Sequence, residues 1–245
     1  MRVRCAAAAV WVLSMAVLSA CGGGTEGSGA TTGEAPSRAA ASTSASAQSE
    51  KPQAAAEPRT SAKALSDAQL QSAVLVDADL SAFQMSEEMA GMPAPQGTAK
   101  RISPAKCQPL LNIAEGKLEP QAKAFRYSVA VGSSASGESA GQIGVEIKLF
   151  ALDQDGAEHV LAQLRTAAKS CAGYENGGYH GVAAAVAPDA GDEAVAYRTS
   201  AAGSIPIWTT VVRSGATVMA FGHYTAELPD EVLSAQISKI EQVAG

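Results

Sequence analysis

Three histidines and four cysteines are the side chains here with the widest chemical range, and their spacing excludes more than it offers. His159, His180 and His223 fall on an expected helix, loop and strand, and no zinc-type His/Cys/carboxylate spacing joins them. His159 stands beside Glu158 on what should be the wet side of its helix, where solvation explains it. There is no nucleophile elbow and no phosphate-cradling glycine loop, so the expectation is a protein without catalytic residues, metal or cofactor. The stretch Tyr174-Glu175-Asn176-Gly177-Gly178-Tyr179-His180-Gly181 sets two aromatics and a histidine among three glycines, which suits a ligand-contacting loop. Its other reading is a long turn whose tyrosines lie on a sheet. Trp208 and His223 fall on strands that could share one face with Met219 and Phe221 and line a pocket, or His223 could be a satisfied core histidine. Met85, Met89 and the Gly91-to-Pro95 stretch offer an adaptable apolar lip, or plain gap filling.

The cysteines divide by position. Arg2 and Arg4 precede an apolar run, Cys5 to Leu18, of about fourteen residues, which is a signal-peptide pattern and shorter than the roughly twenty residues a membrane span needs. Leu18-Ser19-Ala20-Cys21 follows and is similar to the lipobox of bacterial lipoproteins. That resemblance implies a diacylglycerol on the Cys21 sulfur and cleavage that makes Cys21 the first residue; an ordinary small-residue cleavage site is the alternative. Two acyl chains on one residue anchor stably, because each buried methylene contributes about 0.8 kcal/mol. With residues 1–20 removed and Cys21 acylated, Cys107 and Cys171 remain. In an oxidising compartment such a pair is expected to form a disulfide rather than a metal site.

Between the anchor and the rest lies a tether. From Gly22 to Ala64 there is no Val, Ile, Leu, Met, Phe, Tyr or Trp, so residues 21–64 have nothing apolar to offset their conformational entropy and are expected to be a disordered spacer. Losing Arg2 and Arg4 moves the formal net charge from −6 to −8, which argues against nucleic acid as a partner.

Apolar periodicity returns over residues 65–245, enough for one globular domain. Ser66 and Gln69 spell a capping box, and Ser103-Pro104 suggests a helix start with Cys107, Leu110, Leu111 and Ala114 on one stripe. Phe125 to Val131 and Ile143 to Leu149 alternate as half-buried strands, joined through Gly132 to Gly141. Asp155 and Glu158 suggest the cap of a long helix whose buried face ends in Cys171, before a stop at Gly173. Weaker strands follow near Gly181 to Ala187 and Glu193 to Thr199. Ile205 to Arg213 and Ala216 to Tyr224 then flank Ser214-Gly215 as a hairpin, setting Trp208 opposite Phe221 and Val211 opposite Val218. Asp230 and Glu231 after Pro229 open a last helix. The fold class expected is α+β, a mostly antiparallel sheet with helices packed against it and one disulfide stapling two helices.

Cys107 in Cys-Gln-Pro-Leu-Leu, Cys171 at a helix end, Gly191-Asp192-Glu193-Ala194-Val195, and Val211 to Val218 around Arg213 together form a familiar pattern. It resembles the extracytoplasmic sensor-type domain of actinobacterial lipoproteins, related to the ectodomain of a transmembrane serine/threonine kinase, over roughly Leu65 to Ala244. The resemblance implies a lipid-anchored sensing or binding module on the outer face of the cell membrane. It assigns no site residues, because one cysteine pair stands here where the kinase ectodomain has two. The expected partners are the membrane, through the lipid, and either an envelope ligand or a membrane protein on which an accessory protein would dock.

Overall fold

Eight strands, most of them joined by short connections, build one antiparallel sheet here. The structure is a computed structural model that describes residues 63–93, 95, 97, 99–133, 142–173, 175–176, 179–200 and 205–245, with 133, 142–143, 175–176 and 179–180 described by backbone alone. The strands are β1 (Phe83–Met85), β2 (Ala124–Ser133), β3 (Gln142–Ala151), β4 (Glu175–Asn176), β5 (Tyr179–Ala185), β6 (Glu193–Ser200), β7 (Ile207–Ser214) and β8 (Thr217–His223), in spatial order β1-β2-β3-β8-β7-β6-β5-β4. The helices are α1 (Asp67–Ser72), α2 (Gln108–Glu115), α3 (Gln154–Ser170) and α4 (Asp230–Ala244). The α+β class, the antiparallel sheet and the Cys107–Cys171 bridge are as the sequence predicts. Both outermost strands are very short, which limits the open edges on which other chains could pair.

Because successive strand residues point to opposite faces, the sheet feeds two cores. Ile147, Leu149, Met219 and Phe221 pack with Leu70 of α1 and Val232 and Ile240 of α4. Phe150, Val195, Val211 and Val218 pack with Leu110 and Ile113 of α2 and Leu161 and Leu164 of α3. Cross-strand Phe125 and Phe150 meet on this second face with ring centroids 5.0 Å apart.

Caps fix the helix starts. Ser66 and Gln69 form the capping box of α1. For α3 the cap is Asp153, whose carboxylate accepts from the Gly156 N–H at 2.8 Å, rather than Asp155. For α2, Ser103-Pro104 does not open the α-helix: Ala105–Cys107 is a 3₁₀ turn and α2 begins at Gln108. Pro109 explains the shift, since a residue without an N–H is tolerated only in a helix's first turn. Gly116 ends α2 at φ 72°, with Lys117 N–H bonded to Asn112 C=O at 2.8 Å.

The hairpin register also differs from the sequence expectation. The two-residue turn is Gly215-Ala216, flanked by the Ser214/Thr217 pair, so Trp208 lies opposite His223 and Val211 opposite Ala220. Gly215 takes φ 56° at the first turn position, a conformation glycine adopts freely. Asp192 holds it there: its Oδ2 accepts from Gly215 N–H at 2.8 Å and from Arg213 Nη1 at 3.1 Å. Arg165 of α3 pairs with Glu193, whose other oxygen lies 3.9 Å from Arg213 Nε. The Gly191-Asp192-Glu193 motif and Arg213 therefore clasp β6, the hairpin turn and α3. Gly191 itself sits at φ 62°, and a Cβ there would come within 2.4 Å of Arg213 O.

The bridge joins Cys107, at the foot of α2, to Cys171, at the end of α3, with Cα atoms 5.9 Å apart and a sequence separation of 64. In the chain-entropy account, closing such a loop stabilises the native state by roughly 4 kcal/mol. Replacing both cysteines by serine is expected to lower the unfolding free energy by about that amount in urea titrations. Asp192→Ala leaves the mostly buried Arg213 and the Gly215 N–H without their acceptor and is expected to cost about 1–3 kcal/mol in the same assay.

Candidate functional site

The helix-facing surface of the sheet is not filled to its end. Cross-strand partners set side chains into rows: Tyr127, Lys148, Ala220 and Val211 make one, and Glu146, Gly222, Thr209 and Tyr197 the next. In the second row Gly222 supplies no side chain. Between this stretch of sheet and α2 lies a pocket of about 410 Å³, within the size range of small-molecule sites. Leu110, Ile113, Val182 and Ala220 line its apolar part, beside Cys107 of the bridge; Thr199, Thr209, Glu146 and Lys148 supply polar groups. Ile207, Tyr224, Lys100 and Glu115 are also on the lining.

The segment carrying Lys100 and Ile102 is fastened to α2 by Gln108. The buried Gln108 amide accepts from Ile102 N–H at 3.0 Å and donates to Lys100 C=O and Asn112 Oδ1, both at 2.8 Å. Sequence reasoning passes over this glutamine, because its role depends on a chain segment that is not part of its helix.

Charge in the pocket is arranged asymmetrically. Lys148 Nζ donates to Glu146 Oε2 at 2.9 Å and lies 5.6 Å from the Tyr127 ring centroid. The lysine side chain is only 13% exposed and the glutamate 43%, so the cation is spent on protein partners and the carboxylate faces outward. Burial first, then the negative charge of Glu146 and the neighbouring Tyr224, push the Tyr127 phenol up to about 12. It stays protonated and neutral.

The residues singled out by sequence are dispersed. Trp208 and His223 do stand side by side with Phe221 and Met219 on one strand face, but it is the face toward α1 and α4, opposite the pocket. His223 is buried there: Nδ1–H donates to Thr225 C=O at 2.9 Å, which leaves Nε2 to accept from the Thr210 hydroxyl at 3.3 Å. Trp208 carries Arg198 over its ring at 5.5 Å. Tyr174 lies outside the described residues, as do the side chains of Tyr179 and His180. Cys21 and the tether lie outside them as well. Met85 is buried in the α1/α4 core, while Met89 and Met92 are exposed and do not line the pocket. One serine in an elbow-like spelling, Gly137-Glu138-Ser139-Ala140-Gly141, escapes the sequence reading; it also lies outside the described residues, and it joins strand β2 to strand β3 rather than a strand to a helix. Among the described residues no three metal-capable side chains gather, and no helix is long and apolar enough to cross a membrane.

No family model matches the sequence, and no curated protein matches it. In structure the chain is similar to the extracellular domain of PknH from Mycobacterium tuberculosis, at 11% identity and a TM-score of 0.41, over 74% of this chain and 97% of that one. Likeness at this level carries no argument about ligand or role, which rest on the geometry above.

Burial lowers the His223 pKa below 6.5, outweighing the opposite effect of its bond to Thr225. The unfolded chain therefore takes up this proton before the folded one does. Stability from neutral His223 is complete above pH 6.5 and is lost as pH falls from there toward the folded value. Urea midpoints measured from pH 8 to pH 5 are expected to drop in that lower range, and His223→Asn to flatten the drop.

Proposed function

We propose that this chain is a non-catalytic extracytoplasmic binding module, held at the membrane by lipid on Cys21, whose pocket between α2 and the sheet captures a small, largely apolar ligand. One observation carries the reading. Glycine in a strand interior weakens the strand, and its usual compensation is close approach of another backbone or of a ligand. No backbone presses on Gly222: the three atoms nearest a Cβ built there all belong to the Glu146 side chain, at 3.5–3.8 Å, an ordinary contact distance. Two residues before Glu146 on the same face, Gly144 would meet nothing within 4 Å. Both glycines lie in the sheet's central strands, where a β-branched side chain would favour the fold. The space that Gly222 keeps open on the pocket lining is of use to a ligand.

Exposed apolar side chains lie on and near the pocket. Tyr224, 52% exposed, is on its lining, and Ile205, 69% exposed, stands two residues before the lining Ile207. The short signal pattern and the lipobox-like box support placing this site outside the membrane.

The test uses the full chain carrying Cys21→Ser, which prevents acylation, and N-phenyl-1-naphthylamine, an uncharged fluorescent probe. Gly222→Phe is expected to weaken probe binding at least about tenfold by filling the pocket, with thermal unfolding no lower than in the parent. Equal binding by parent and variant would sink the reading.

A further inference from the structure

Resting on that reading, we infer that the pocket selects an uncharged amphiphile whose hydroxyl donates to Glu146, with its apolar body along α2. The argument follows from which polar groups the protein leaves unused. Lys148 has its partners within the protein, namely Glu146 Oε2 and the Tyr127 ring. Glu146 accepts that one bond, and its Oε1 has no partner among the described residues. On the other flank of Gly222, the Thr209 hydroxyl also has none. A ligand group resting on the Gly222 backbone thus has a carboxylate on one side and a hydroxyl on the other, across two strand spacings of about 4.8 Å each.

That arrangement asks for a donor. A ligand carboxylate or phosphate laid on Gly222 would face Glu146 as a like charge, in a partly desolvated site whose lysine is already paired. A ligand amine would be attracted to Glu146 but would compete with Lys148 for it, setting two cations on one carboxylate. A hydroxyl satisfies Oε1 and can accept from Thr209 in return, with no net charge to desolvate. Leu110, Ile113, Val182 and Ala220 then bury the hydrocarbon.

An anion has one other place to go. Lys100 lines the wall beside Glu115, which accepts from the Lys100 N–H at 3.2 Å and lies 3.9 Å from Lys117 Nζ. The experiment therefore compares 1-decanol with decanoate, which differ only at the head, as competitors of the naphthylamine probe. The proteins are the full Cys21→Ser chain and, on that background, Glu146→Gln, Lys100→Met and Gly222→Phe. The expected result is decanol bound at least about tenfold tighter than decanoate, a preference that shrinks below about threefold in Glu146→Gln and persists in Lys100→Met. Decanoate bound as tightly as decanol, with its affinity lost in Lys100→Met, would overturn the inference and leave the pocket standing as an anion-selective site. Displacement by either compound that is the same in Gly222→Phe as in the parent would instead overturn the underlying assignment of the pocket.

Discussion

The position of α2 governs what this fold can hold. Only two turns long, the helix is fastened at its foot by the Cys107–Cys171 bridge, at its end by the Gly116 cap, and along its length by Leu110 and Ile113 packing on the sheet. Fixed in this way, it stands over strands β3, β8, β7 and β6 without closing onto them where Gly222 supplies no side chain. A hollow between packed layers tends to collapse or be filled, because unpaired apolar walls forfeit contact energy. The bridge and the Gln108 amide keep α2 and the segment beside it at their distance, so the wall of the pocket is built from constraints outside the pocket.

Residues of similar chemistry are put to different uses in this fold. Asp192, Glu193, Arg165 and Arg213 form a charged cluster at one end of the sheet, yet their charges are used on one another and on the hairpin turn. Glu146 and Lys148 form a second pair, and there the carboxylate remains partly unspent. The difference lies in what surrounds each pair. The first is enclosed by the turn and α3, whereas the second borders a space that no side chain occupies. A similar contrast separates the two polar aromatics: His223 is satisfied within the α1/α4 core, while Tyr127 is held neutral beside the open pair.

Several elements follow from neighbours in sequence and were readable there. The Ser66/Gln69 box, the alternation on β2 and β3, the hairpin joining β7 to β8 and the acidic start of α4 all depend on near neighbours in sequence. Where the reading slipped, a longer-range effect decided. Pro109 moved the start of α2 past Pro104, and the hairpin shifted its register by two because Asp192, 23 residues before Gly215, grips the turn. The shift of two preserved which side chains share a face, so Trp208 and His223 remained together. Which face they took was settled by the packing of α1 and α4, and it is the face away from the pocket.

By itself the sequence determined the absence of large apolar residues from Gly22 to Ala64, the fold class and the pairing of Cys107 with Cys171, since each rests on composition or on short-range pattern. Only the tertiary structure decided the site. Glu146, Thr209 and Gly222 are far apart along the chain, and they meet because β8 inserts between β3 and β7. The physical reason is that strand order is set by which apolar faces can be buried together. That is a property of the whole chain, and no local pattern encodes a space left empty.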